Sequence, residues 1–207
     1  MRSMRRKCNV IGLAVAFATL VSATSAAATP AFQPAGTAFT ATSTGENVFT
    51  IASNIKWRCN HVQFTGTTTS PASDTVPVTA TYGVATGAAG AWCRLYVGGV
   101  FSNATVTPSG WSMSVASYDA LTARSTGAIT MAGGMAITTG SCTITFASGT
   151  VLSLGGQNYS STPGVTFTAN ARGVHYTSSG CVAWGIPASG TTGSYSGTFD
   201  IPAISVS

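Results

Sequence analysis

Two pairs of cysteines, each enclosing a run of alternating strand-like segments, constrain this chain more than any other feature. Cys59 and Cys93 bracket one run and Cys142 and Cys181 bracket a second, with cysteine separations of 34 and 39. Four cysteines allow three connectivities. Sequential pairing, Cys59 with Cys93 and Cys142 with Cys181, gives each run its own bridge and is the pairing expected here. Loops of this length are worth roughly 3 to 4 kcal/mol each when closed. A zinc site is the rival use of four cysteines, but no Cys-x-x-Cys pair occurs.

Between the cysteines the apolar residues recur at every second position. Val62 and Phe64 alternate with His61 and Gln63, and Val76, Val78, Ala80 and Tyr82 with Pro77, Thr79 and Thr81. Further runs are Trp111, Met113 and Val115, then Ile129 with Met131, Ile144 with Phe146, and Val165 with Phe167 and Ala169. Period two over many short runs, punctuated by Gly and Pro, predicts half-buried antiparallel strands. The expected fold is all-β and sandwich-like, with ten to fourteen strands. Only Ser-Tyr-Asp-Ala-Leu-Thr-Ala at 117–123 reads as helix-forming, and it is too short to hold a helix alone, so a loop with one helical turn is expected there.

The two cysteine units also echo each other. Val76 precedes Cys93 by 17 residues and Gly164 precedes Cys181 by 17, which suggests two similar halves, 29–125 and 126–207, each with one disulfide. The competing explanation is that Thr-, Gly- and Ser-rich strands align with one another readily.

The N-terminus has the form of an export signal. Arg2, Arg5, Arg6 and Lys7 precede an apolar run of about twelve residues, and small residues follow, so 1–28 reads as a signal peptide and 29–207 as a secreted β domain. The apolar run is too short to span a bilayer, and no transmembrane segment is expected in 29–207. Cys8 falls within the signal. Once it is set aside, Lys56, Arg58, Arg94, Arg124 and Arg172 face Glu46, Asp74, Asp119 and Asp200, a net charge of +1. Charges so few and so spread along the sequence argue against nucleic acid as a partner.

The search for chemistry returns little. His61 and His175 sit in strand patterns and are expected to face solvent; no nucleophile elbow accompanies them. Asp74 and Asp119 stand in turn contexts, and no paired carboxylates or oxygen cluster suggests a glycosidase or a calcium site. No catalytic, cofactor or metal residues are assigned. The aromatic residues are more informative. Trp57, Trp92, Trp111 and Trp184, with six tyrosines, are candidates for a face that stacks on sugar rings or apolar chains, although Trp111 alternates with core positions and Trp92 and Trp184 lie near cysteines. Asn103 and Asn158 head two glycosylation sequons.

Across 29–207, the stretches PAGTAFTATST, CNHVQFTGT, VPVTATY, VHYTSSGC and GSYSGTFDIPAISVS resemble a group of secreted Thr/Gly-rich bacterial β proteins that includes alkane-oxidation protein activators. Members of the activator type carry a Leu-Pro-Trp segment where this chain has Pro108-Ser109-Gly110-Trp111. The resemblance implies an accessory extracellular role without catalysis, in dealing with hydrophobic substrates. Three classes of function follow from the sequence. The first is a secreted, non-enzymatic structural or interaction protein of the cell surface that self-associates through β edges, with 29–43 as the strand offered. The second is a binding module for carbohydrate or apolar ligands; a hydrolase is third.

Overall fold

The computed structural model describes residues 29–52, 54–159 and 163–207, so the expected signal peptide, Cys8 included, lies outside the described residues. The chain is all-β. Its strands are β1 (Phe32–Gln33), β2 (Ala38–Ser43), β3 (Asn47–Ala52), β4 (Ile55–Cys59), β5 (Val62–Thr67), β6 (Thr75–Tyr82), β7 (Cys93–Val97), β8 (Val100–Asn103) and β9 (Thr105–Pro108). They continue with β10 (Trp111–Asp119), β11 (Arg124–Met131), β12 (Met135–Thr139), β13 (Cys142–Phe146), β14 (Thr150–Asn158), β15 (Val165–Ser179), β16 (Ser189–Ile201) and β17 (Ser205–Val206). The expected helical turn at 117–123 is instead the end of β10 and the turn into β11. Asp119 makes that turn by accepting hydrogen bonds from the Leu121 N–H at 2.9 Å and the Thr122 hydroxyl at 2.7 Å. The same two bonds lower its pKa.

A plain sandwich was expected, and the architecture differs: eight strands close into a barrel. In order around the ring they are β16, β2, β5, β6, β10, β11, β14 and β15, and β15 pairs back with β16. Alternation fixes which residues face inward at each strand but not whether the first strand meets the last, and that is where the sandwich expectation failed. Strands from 29–125 and from 126–207 both serve as staves of this one ring. The segment 29–43, expected either to join its own sheet or to add to a neighbour's edge, contributes β2, which lies between β16 and β5 and is paired on both sides.

The hairpin β15–β16 is longer than the ring needs, and its extra length carries two flanks. On one side β16 pairs with β3, followed by β4, β7 and β8; on the other β15 pairs with β13, followed by β12 and β9. The two flanks meet in sequence, since only Ala104 separates β8 from β9, and its N–H donates to the Cys93 carbonyl at 2.9 Å. Thr139, buried at the end of β12, ties the same junction by donating to Asn103 O at 2.8 Å and Ser102 Oγ at 2.9 Å. β15 bends where ring passes to flank: its register shifts between Arg172 and Val174, with Gly173 at φ 67°. Such a bulge adds one residue and re-aims the side chains beyond it. Val165, Phe167 and Ala169 point inward before it, Val174 and Tyr176 after it.

One continuous core fills both parts. In the ring Phe64 packs on Trp111 and Phe199, with centroids 5.5 and 4.9 Å apart; between the flanks Phe49 meets Phe146 at 4.3 Å. Tyr82 joins the two regions by contacting Trp57 and Trp111. A short ladder, β1 with β17, closes one end, burying Phe32 against Phe167. One polar pair is buried in this core: Tyr195 Oη donates to Asn47 Oδ1 at 2.7 Å. Gly197 lies beside it, and a Cβ there would fall on Asn47 Oδ1, so the pair requires glycine at that position.

Both disulfides form as expected, Cys59 with Cys93 and Cys142 with Cys181, with Cα separations of 4.1 and 4.4 Å. Cys59 and Cys93 are direct cross-strand neighbours on β4 and β7. The second bridge joins the start of β13 to the residue group just past β15.

Candidate cation and aromatic face

Because β4 and β7 are locked through Cys59 and Cys93, their register places Arg58 beside Arg94, Trp57 beside Leu95, and Lys56 beside Tyr96. Trp57 and Leu95 are buried, so the alternate residues Lys56, Arg58, Arg94 and Tyr96 point out of the flank. Following the register across six strands gives two adjacent outward rows. One runs Asn170, Ser196, Val48, Arg58, Arg94, Asn103; the other runs Arg172, Ser194, Thr50, Lys56, Tyr96, Phe101. Four of the five basic residues of 29–207 therefore share one sheet face, although Lys56 and Arg172 are far apart in sequence. Arg124, on β11, is the exception.

Aromatic rings hold these cations in place. The Arg94 guanidinium lies over the Trp92 ring at 4.6 Å and the Phe101 ring at 4.4 Å, and Arg58 lies over Tyr96 at 5.3 Å. Tyr96 and Phe101 are themselves 5.7 Å apart. A planar guanidinium against a ring keeps its N–H donors in its own plane, which suits it to bidentate recognition of a carboxylate. Arg58 also makes a half-exposed ion pair with Glu46 at 3.3 Å, the sole salt bridge among the described residues. Phe101 is 51% exposed and its neighbour Val100 66%, both unusual for large apolar side chains away from a core. Between β4 and β15 the face is hydroxylated, with a shallow hollow edged by Thr50, Asn170, Arg172, Ser194 and Ser196.

The tryptophans expected to share a binding face divide. Trp57 and Trp111 are core residues, and Trp111 Nε1 donates to Gly134 O at 3.3 Å. Trp184 is half-buried in a short 3-10 turn after Cys181 and packs on the core; Trp92 alone of the four joins the cation face. His175 faces outward as expected and lines a separate hollow with Thr145, Thr177, Ser189 and Thr191, none of which is a carboxylate. His61 is half-buried beside Val62. Of the sequon asparagines, Asn103 is exposed at the end of one row, whereas Asn158 is committed to the Val206 backbone, donating to its carbonyl at 2.6 Å and accepting from its N–H at 3.1 Å.

Sequence reasoning missed this face because it judged charge by spacing along the chain. The signal was present in the expected disulfide: counting outward from a Cys59–Cys93 cross-strand pair brings Arg58 to Arg94 and Lys56 to Tyr96 with no further information. No protein-family model, no curated protein and no solved structure matches the chain.

Proposed function

We propose that the protein is a secreted, non-enzymatic interaction protein of the cell exterior, and that it works by binding carbohydrate on the outer face of β15, β16, β3, β4, β7 and β8. The observation that carries this reading is the Tyr96–Phe101 ring pair, Phe101 exposed and Tyr96 half-buried, set beside rows of hydroxyl and amide side chains from Thr50, Ser194, Ser196, Asn103 and Asn170. Rings stack on the apolar faces of sugars while neutral polar groups exchange hydrogen bonds with their hydroxyls, and an open sheet face accepts a chain rather than an enclosed small molecule. The two disulfides support an oxidising compartment. The test is retention on a panel of insoluble polysaccharides, with Tyr96→Ala and Phe101→Ala abolishing it; retention unchanged in both variants would remove the reading.

A second reading, assembly of copies edge to edge, is favoured by β8, which pairs only with β7 and carries exposed Val100. Concentration-dependent sedimentation that disappears in Val100→Lys is the result it expects.

A further inference from the structure

We infer that the polymer bound on this face is an acidic polysaccharide, a chain bearing carboxylates at intervals among neutral sugars. The inference rests on the carbohydrate reading above and adds to it the arrangement of charge. Neighbouring strands lie about 4.8 Å apart, so Arg58 and Arg94 form a close pair one step apart, with Lys56 two residues along β4. Arg172 lies three strand steps from Lys56, about 14 Å, and the intervening positions are Ser194 and Thr50. Charge is thus concentrated at one end of the face, interrupted by neutral hydroxyls, and resumed at the other end. A chain lying across the strands would meet cations only at intervals.

That spacing fits uronate-type sugars separated by uncharged ones. It fits a phosphate backbone poorly, because every nucleotide carries a charge and the middle strands have none to offer, while Glu46 stands at the cationic end. Arg94 is the strongest individual recognition element: its guanidinium is held between contacts to the Trp92 and Phe101 rings and offers its fork of donors to an acceptor. Glu46 occupies Arg58 in the absence of ligand and competes with an incoming carboxylate. The other acid on this outer surface, Asp200, is four residues from Ser196 along β16 and accepts a hydrogen bond from Thr166 at 2.6 Å, outside both rows.

The deciding experiment measures the affinity of the purified, disulfide-intact protein for partly methyl-esterified polygalacturonate, in which free acids stand among neutral esterified sugars, and for the same polymer fully methyl-esterified, which keeps the sugar rings and removes the charge. The inference expects the acid form to bind at least about tenfold more tightly and to weaken with added salt. Arg94→Gln and Arg58→Gln should each lose about tenfold, Arg124→Gln nothing, and Glu46→Gln should bind more tightly than the parent, all with unchanged thermal midpoints. Equal binding of the two polymers, lost in Tyr96→Ala, would overturn the acidic inference and leave carbohydrate binding standing. Binding of neither polymer would overturn both. Tighter binding of a single-stranded oligonucleotide than of the partly esterified polymer would assign the face to nucleic acid instead.

Discussion

The eight strands of the ring are joined edge to edge by backbone hydrogen bonds around a full circuit, whereas the flanks that grow from β15 and β16 each carry a disulfide. Closure removes the free edges of a sheet, and the ring needs no covalent tie to hold its register. The flanks have no such circuit of uninterrupted strands; Ala104 breaks the strand between β8 and β9, and the bridges hold β4 to β7 and β13 to the end of β15. The outward chemistry differs in the same way. The ring presents small neutral side chains, as along Ser114, Ala128 and Ser153, while the β4–β7–β8 flank presents cations and rings. A stable closed part and a tethered part that displays reactive surface are thus built from one alternating pattern.

The sharpest way to break this comparison is to damage the ring. Phe64→Ala, which removes a ring buried against Trp111 and Phe199, is expected to cost about 3 to 5 kcal/mol, read by denaturant unfolding. A loss under about 1 kcal/mol would mean that the ring is not the main source of stability. Next in size are the bridges: replacing Cys59 and Cys93 together with alanine should cost about 3 to 4 kcal/mol. The informative readout is hydrogen exchange, which should rise in β4, β7 and β8 and stay protected in β10, β11 and β14. Uniform loss of protection would show that ring and flank do not differ in how they are held.

The buried Tyr195–Asn47 pair joins β16 to β3, where ring and flank meet. Tyr195→Phe is expected to cost about 1 kcal/mol. Burial raises the Tyr195 pKa, and burial followed by the neighbouring Tyr195 raises that of Tyr82. Both folded values lie above the unfolded value of about 10, so their contribution is intact below that pH and is lost as pH rises beyond it. Alkaline unfolding above about pH 10, shifted upward in Tyr195→Phe, is the measurement. The smallest effect belongs to the cation face, where Lys56→Gln and Phe101→Ser should alter stability by no more than about 0.5 kcal/mol while changing polysaccharide retention.

Most strands were legible because burial at alternate positions leaves its mark on the sequence: Val76, Val78, Ala80 and Tyr82 are all buried as their spacing implies. The cysteine pairing was legible too, since two bridged runs suffice to suggest it. Closure was not, because it depends on β2, near the start of the described residues, pairing with β16, near their end, a long-range contact that no local pattern encodes. Trp57 and Trp92 show the same limit at the level of side chains. Both sit two residues or fewer from a bridging cysteine, yet Trp57, on β4 with the inward parity of Cys59, is fully buried, whereas Trp92, just before β7, lies under Arg94.

The bulge at Gly173 imposes a rule on how a gene for this chain can change in length. Because one extra residue there sets which side chains of β15 face outward on each side of the bend, a single-codon insertion or deletion between Val165 and Arg172 would turn that part of the strand over, sending Phe167 to water and Arg172 into the core. The same change in the turn at Gly98 and Gly99, or around the fully exposed Leu121, would leave every stave in frame. Natural or laboratory variants of different length should therefore accumulate at those turns, while β15 keeps its count.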